Sequence, residues 1–214
     1  MATQVDTDSV RRKLKFDYLK AKNDASSRTL DVFSQLLGYF QKPQIVVHDM
    51  IQDAANLIQR QFRLRWAMVG LKSQSDGLYR YEVHCGMRPD SWARQKARAY
   101  KLSDFALHTN NYNAGEISRL TRVYLEEENP LGKDDTGVLN RPILLGTRRK
   151  SDDETLEADF IDTLIVGPGD DLLGWIEYSG TVTMKFPDPM TIRNIEVISG
   201  ILSAAITMQN QRRP

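Results

Sequence analysis

His84-Cys85 is the first place to look for chemistry, because an imidazole beside a thiol can hold a thiolate, which is the nucleophilic form of cysteine. The pair sits in YEVHCGMRPD, which reads as the end of a β-strand. Adjacent strand residues point to opposite faces, so ring and thiol are not expected to meet, and Cys85 is expected to be buried and inert. The three histidines, His48, His84 and His108, lack the close spacing of metal ligands. The acidic runs Glu126-Glu127-Glu128 and Asp152-Asp153-Glu154 carry enough charge for acid–base work, but their charge-rich surroundings read as solvated loops. There is no phosphate-cradling loop and no Gly-rich dinucleotide turn. The residues name no catalytic group and no cofactor, and the chain is expected not to be an enzyme.

The bounds agree with that. With 214 residues, 41% of them hydrophobic, the chain can bury one sizeable core and still carry an appendage. Lys and Arg number 29 against 28 Asp and Glu, so the overall field steers neither a polyanion nor a basic partner. The single cysteine cannot form an internal disulfide and suits a reducing compartment. No stretch is apolar enough for a membrane span or a signal peptide, so a cytoplasmic location and no membrane partner are expected.

The elements that would position a site follow from periodicity. Arg11, Arg12, Lys13, Lys15, Lys20 and Lys22 make a basic arm in which Val10, Leu14, Tyr18 and Ala21 recur at helical spacing. It reads as a solvated helix, and without interleaved aromatics a nucleic-acid partner is not expected. Leu30, Phe33, Leu37 and Phe40 stripe a second helix that should end at Lys42, before Pro43. Pro43 suits the first turn of a third, whose Val47, Met50, Ala54, Ile58 and Phe62 keep a 3.6-residue period.

From Arg63 the period becomes two. Leu64, Trp66 and Met68 are expected on one face of a strand, and Tyr79, Tyr81, Val83 and Cys85 on one face of the next, with Gln74-Ser75-Asp76-Gly77 as the turn. Residues 91 to 125 read as a helix holding Trp92, Ala99 and Leu102, a polar loop, and a strand within 117–125. Residues 126–159 read as mobile loops flanking one strand at Pro142-Ile143-Leu144-Leu145, because charge-rich segments bury little apolar area to offset chain entropy.

The stretch FIDTLIVGPGDDLLGWIEYSG, residues 160–180, reads as a central hairpin. Phe160, Leu164 and Val166 alternate with Ile161, Thr163 and Ile165, so both faces should be covered, and little in it looks able to perform chemistry. Gly174 inside the second strand implies a bulge or a close approach. Asp188 is a fitting N-cap and Pro189 a fitting first residue for a closing helix. That helix carries two adjacent apolar stripes: Ile192, Ile195, Ile198, Leu202, Ala205 and Ile206 in one, Met190, Val197, Ile201, Ala204 and Met208 in the other. At about 100° per residue they cover roughly 240°, more than packing on a sheet requires. Either an N-terminal helix of the same chain or a second subunit must cover the rest.

The order of these elements resembles that of a GAF domain. The carriers are the apolar strand before GPGDD, then LLGWIEYSG, then Phe186 and an acidic cap before IRNIEVISGILSAAI, together with DMIQDAANLIQRQF running into RLRWAMVGL. The resemblance implies an α+β fold, with a central antiparallel β-sheet of five or six strands and N- and C-terminal helices packed on one face. It also implies two segments: residues 1–43 as basic arm and helix, and 44–209 as a GAF-like sensor domain. On the other face it implies a pocket floored by the 160–180 hairpin and lined from the middle segment by Trp92, Tyr100, Phe105, His108, Tyr112 and Arg119.

What the resemblance implies for function is a non-enzymatic regulatory domain. It would bind an unidentified small molecule, form a homodimer through its terminal helices and pass a signal to a downstream protein. A ligand-free dimerisation or protein-interaction module is the alternative, with a GAF-fold enzyme behind it. A cavity beneath residues 90–125 separates the first two, and a polar cluster with displaced pKa values inside it would favour the third. YEVHCGMRPD lacks the surroundings of pigment-attaching members, GAF-like methionine sulfoxide reductases use more than one cysteine, and the asparagine-lysine-phenylalanine signature of cyclic-nucleotide binders is missing.

Overall fold

The computed structural model describes residues 7–21, 25–105 and 112–211, so His108 lies outside the described residues. Helix α1 spans Thr7–Ala21, and its Leu14, Phe16, Tyr18 and Leu19 are each more than half exposed. Helix α2 spans Ala25–Leu37 and runs on as a 3-10 turn over Gly38–Gln41. It stops there because Lys42, preceding proline, is extended with ψ of 146°. The buried face of α2 is Val32 and Leu36, continued by Tyr39; of the expected stripe Phe33 and Phe40 pack against the core half-buried, while Leu30 and Leu37 are exposed. The Tyr39 hydroxyl fixes this rotation by donating to Asp53 Oδ2 at 2.6 Å.

Helix α3, Val47–Gln61, buries Val47, Met50, Ile51, Ala54, Ala55 and Ile58. It begins four residues beyond Pro43, against expectation, because Val46 is extended with φ −92° and ψ 98° and lets Ile45 turn into the core.

Six strands follow: β1 Ala67–Lys72, β2 Tyr79–Cys85, β3 Ala114–Glu116, β4 Thr121–Tyr124, β5 Phe160–Val166 and β6 Leu172–Tyr178. Helix α4, Pro89–Lys96, lies between β2 and β3, and α5, Pro189–Gln211, closes the described chain. The strands form one antiparallel sheet in the order β2-β1-β6-β5-β4-β3, with the 160–180 hairpin at its centre. Helices α3 and α5 cover one face, and α2 packs against both of them. There Ile161, Ile165, Ile176 and Tyr178 of the sheet pack with Ile58 of α3 and Ile195, Ile198 and Leu202 of α5 in the main core. Helix α5 starts as expected, with Asp188 Oδ1 accepting from the Thr191 backbone N–H at 2.9 Å.

A bulge divides β2 between the two faces. Val69 pairs with Val83 but Gly70 with Tyr81, leaving Glu82 as the extra residue. Tyr79 and Tyr81 therefore point away from the helices while Val83 and Cys85 point toward them, which corrects the single face expected for all four. Leu64 likewise parts from Trp66 and Met68 and joins the helix-side core, because Arg63 adopts a left-handed φ of 53° before the strand begins.

The middle of the chain differs most from expectation. Helix α4 holds Trp92 but ends before Ala99, and Leu102 opens a 3-10 turn that runs to Phe105. The expected strand over 117–125 is a hairpin, β3 and β4, joined by a turn in which Ile117 and Ser118 donate to the Thr121 carbonyl. Pro142–Leu144 is a 3-10 turn with Ile143 90% exposed, since a proline that lacks an N–H suits a first helical turn better than a ladder.

Residues 126–159 are loops and 3-10 turns in which Glu127, Glu128, Asp152 and Asp153 are exposed as expected, but the segment is tied down by buried charge, which corrects the rest of that reading. Glu126, Glu157 and Asp159 are buried. Glu126 accepts backbone N–H groups from Gly146 at 2.6 Å and Ala158 at 3.0 Å. Glu157 pairs with Arg65 at 2.6 Å and Arg141 at 3.3 Å, and Asp159 with Arg149 at 2.9 Å.

Candidate ligand chamber

The sheet face opposite the helices is roofed by α4, the 102–105 turn and part of 126–159, and a cavity remains beneath them. Its volume, counted as the space open to centres of water-sized spheres, is about 100 Å³. On that measure a single water needs roughly 10–15 Å³, so the chamber has room for a compact ligand.

Two glycines shape the floor. A Cβ at Gly70 would lie 2.1 Å from the Trp175 ring, so the missing side chain is what lets the indole lie across β1. A Cβ at Gly174 would lie 2.2 Å from the Gly70 carbonyl oxygen, which accounts for the glycine expected to permit a close approach. A bulge adjoins it, where β6 slips between Ile165 and Val166 of its partner. Trp175 then gathers an aromatic cluster, with ring centres 4.8 Å from Tyr81, 5.0 Å from Phe105 and 5.7 Å from Tyr100. Tyr124 stacks on Phe160 at 4.4 Å.

Strand register sets the polar part. Across the sheet, Met68 pairs with Glu177, Glu177 with Asp162, and Asp162 with Arg122, so all four share the chamber face. Asp162 and Glu177 are 5% and 6% exposed, and their carboxyls share a hydrogen bond. Two ionised carboxylates so placed would repel in a medium that solvates neither, so the pair retains a proton. Burial raises the Glu177 pKa from 4.5 to about 7, opposed by the Tyr81 hydroxyl, which donates to Oε2 at 2.6 Å. Burial, followed by the charge of Glu177, pushes Asp162 well above the usual carboxylate range, with Arg122 opposing.

Two acceptors on the wall have no partner among the described residues: Asp162 Oδ1 and Gln95 Oε1. Gln95 is 8% exposed and comes from α4. Arg98 also lines the chamber but is engaged by Asp135 at 2.5 Å and by the Tyr100 hydroxyl. Burial pushes the Tyr100 pKa to about 12, so it remains a neutral donor.

Of the residues expected to line a pocket, the structure brings Tyr100, Phe105 and Tyr112 to this cavity. Trp92 stands behind the wall, its ring 4.4 Å from His84 and 6.5 Å from Tyr81. Arg119 points elsewhere, 77% exposed and 3.3 Å from Asp170 in the β5–β6 turn. Sequence reasoning passed over Asp162, Glu177, Trp175 and Gln95. A signal was present for the two acids: each is the one charged residue of its strand, FIDTLIV and LLGWIEY, and an acid there is buried if the strand is central.

His84 and Cys85 do point apart, the ring against Trp92 and the thiol into the helix-side core, where it donates to Gln59 Oε1 at 3.6 Å. Burial raises the Cys85 pKa, which disfavours a thiolate. Among the described residues no three His, Cys, Asp or Glu converge as a metal site, and no helix is long and apolar enough to cross a membrane.

An antiparallel six-stranded sheet with helices on one face and a roofed chamber on the other is a GAF-like fold. Solved structures agree. The GAF domain of a phosphoenolpyruvate-protein phosphotransferase from Coxiella burnetii superposes with a TM-score of 0.55 at 14% identity, over 89% of this chain and 98% of that one. The nlh2 GAF domain of A. aeolicus, in an inactive state, gives 0.54 at 12%, over 87% and 99%. A bacteriophytochrome from R. palustris gives 0.55 at 12%, over 88% of this chain but 39% of that one. No family model matches the sequence, and no curated protein matches it either.

Proposed function

We propose that this chain is a GAF-type regulatory domain that binds a small molecule in the chamber and transmits its occupancy through the sheet to a helical dimer interface. It acts in the cytoplasm without catalysing a reaction, and hands its signal to a separate protein. Residues 44–209 form the sensing unit, with the basic arm ahead of it. The observation that carries this reading is a roofed aromatic cavity holding two buried acceptors, Asp162 Oδ1 and Gln95 Oε1, that no described residue satisfies. A buried polar atom left unmade costs about 1–3 kcal/mol, and a ligand that donates to both recovers it.

The interface reading rests on apolar side chains left uncovered on the helical face: Leu30 and Leu37 of α2, Met190 and Val197 of α5. The two helices pack beside each other on the side of the sheet away from the chamber. Ligand binding shifts a dimer only if the ligand favours one of two arrangements.

The test is native mass spectrometry of freshly purified protein, followed by thermal-shift screening with small metabolites. A dimer mass with a retained small molecule, or a compound that raises the melting temperature, is expected. A mass equal to bare polypeptide, with no stabilising compound, favours the ligand-free interaction module instead.

A further inference from the structure

We infer that the chamber takes a compact organic cation bearing two or more N–H donors, an amidinium or guanidinium group on a small flat body, held by Asp162, Glu177 and Gln95. This rests on reading the chamber as a ligand site and adds the chemical class of the occupant.

Four observations converge on it. The first is polarity: both unpartnered atoms are acceptors, and both belong to side chains more than nine-tenths buried, so the missing partner is a donor. The second is charge. An anion would face a carboxyl pair that already carries negative charge, while the cations that would welcome it are engaged: Arg98 with Asp135 and Tyr100, Arg122 with the Phe105 carbonyl and Tyr124. The third is the wall, where the rings of Trp175, Tyr81, Tyr100 and Phe105 offer surfaces that attract a flat cation. The fourth is size, about 100 Å³, which favours a small body over a nucleotide.

The charge balance also suits an exchange. With one proton on the Asp162–Glu177 pair, the single remaining negative charge is matched by Arg122. When a cation arrives, that O–H bond breaks, the proton leaves to solvent, and the second carboxylate charge is matched by the ligand. Other titratable groups face the pair from the surrounding elements. They are Tyr81 and, farther along the row, His84 of β2; Arg122 and Tyr124 of β4; Arg98 and Tyr100 beyond α4; Asp104; and Glu157, which is held by Arg65 and Arg141. The tyrosines stay neutral, Arg98 and Glu157 are held in ion pairs, and burial followed by the charge of Lys96 lowers the His84 pKa from 6.5, so the exchange is governed by the two acids. Binding should therefore tighten by about tenfold from pH 6 to pH 8, with Glu177 titrating near 7.

The test uses three isosteric probes, benzamidine, benzamide and benzoate, with methylguanidine as a smaller cation, in calorimetry and thermal shift at pH 6 and pH 8. Benzamidine or methylguanidine should bind, benzamide roughly tenfold or more weakly than benzamidine, and benzoate not at all. Asp162→Asn should weaken the cation by roughly tenfold to a hundredfold, and Glu177→Gln should remove the pH dependence. Gln95→Met, on α4 and outside the sheet, should weaken it as well and stands in if a strand variant fails to fold. Benzoate or benzamide binding as tightly as benzamidine overturns the cation assignment and leaves the sensor reading intact. Failure of both cations also overturns it, and if the native mass spectrum carries no small molecule as well, the sensor reading falls with it.

Discussion

At the scale of single residues, the buried acids make stability itself a readout. Glu177 titrates at about 7 in the folded protein against an ordinary 4.5, so folding favours its protonated form. The stability this contributes is complete below pH 4.5 and is lost as pH rises to about 7, at most on the order of 3 kcal/mol. Melting temperature followed from pH 4.5 to 8 should fall across that window, and Glu177→Gln should flatten the fall. Gly174→Ala should destabilise by roughly 2 kcal/mol or more, because its methyl meets a backbone oxygen that cannot step aside. Chemical denaturation measures this directly. Gly174 was legible in the sequence as a close approach, but Asp162 and Glu177 were not read as a pair. Their meeting depends on the register between β5 and β6, and periodicity shows which face a side chain takes without showing what lies across from it.

Elements were legible where apolar residues recur over long stretches and illegible where long-range pairing decides. The 160–180 hairpin, α3 and α5 follow from their periods. The rotation of α2 does not, because Tyr39 finds Asp53 on another helix, and neither does the β2 bulge at Glu82. Residues 126–159 looked too charged to order, but their partners lie far off in the chain: Arg65 is 92 residues from Glu157. The Arg65–Glu157 pair is 9% and 1% exposed, so removing Arg65 leaves the buried Glu157 charge with only Arg141, at 3.3 Å, to balance it. Arg65→Ala should therefore cost about 3 kcal/mol. It should also speed proteolytic cleavage within 126–159, whereas substitution of exposed Arg119 should do neither.

For the molecule as a whole, the division of labour proposed for the two sheet faces is what experiment can separate. Dimerisation through the helical side predicts that Val197→Glu, at a position 48% exposed, yields a monomer with unchanged circular dichroism, as measured by light scattering after size exclusion. A dimer that persists would assign the contact to another surface. The three tryptophans follow the same division. Trp66 and Trp175 line the chamber and Trp92 backs its wall, while the helical face has none among the described residues. Intrinsic fluorescence thus watches one side of the protein only: its colour and intensity will follow filling of the aromatic box, and subunit exchange will pass unseen unless the sheet between them carries the news.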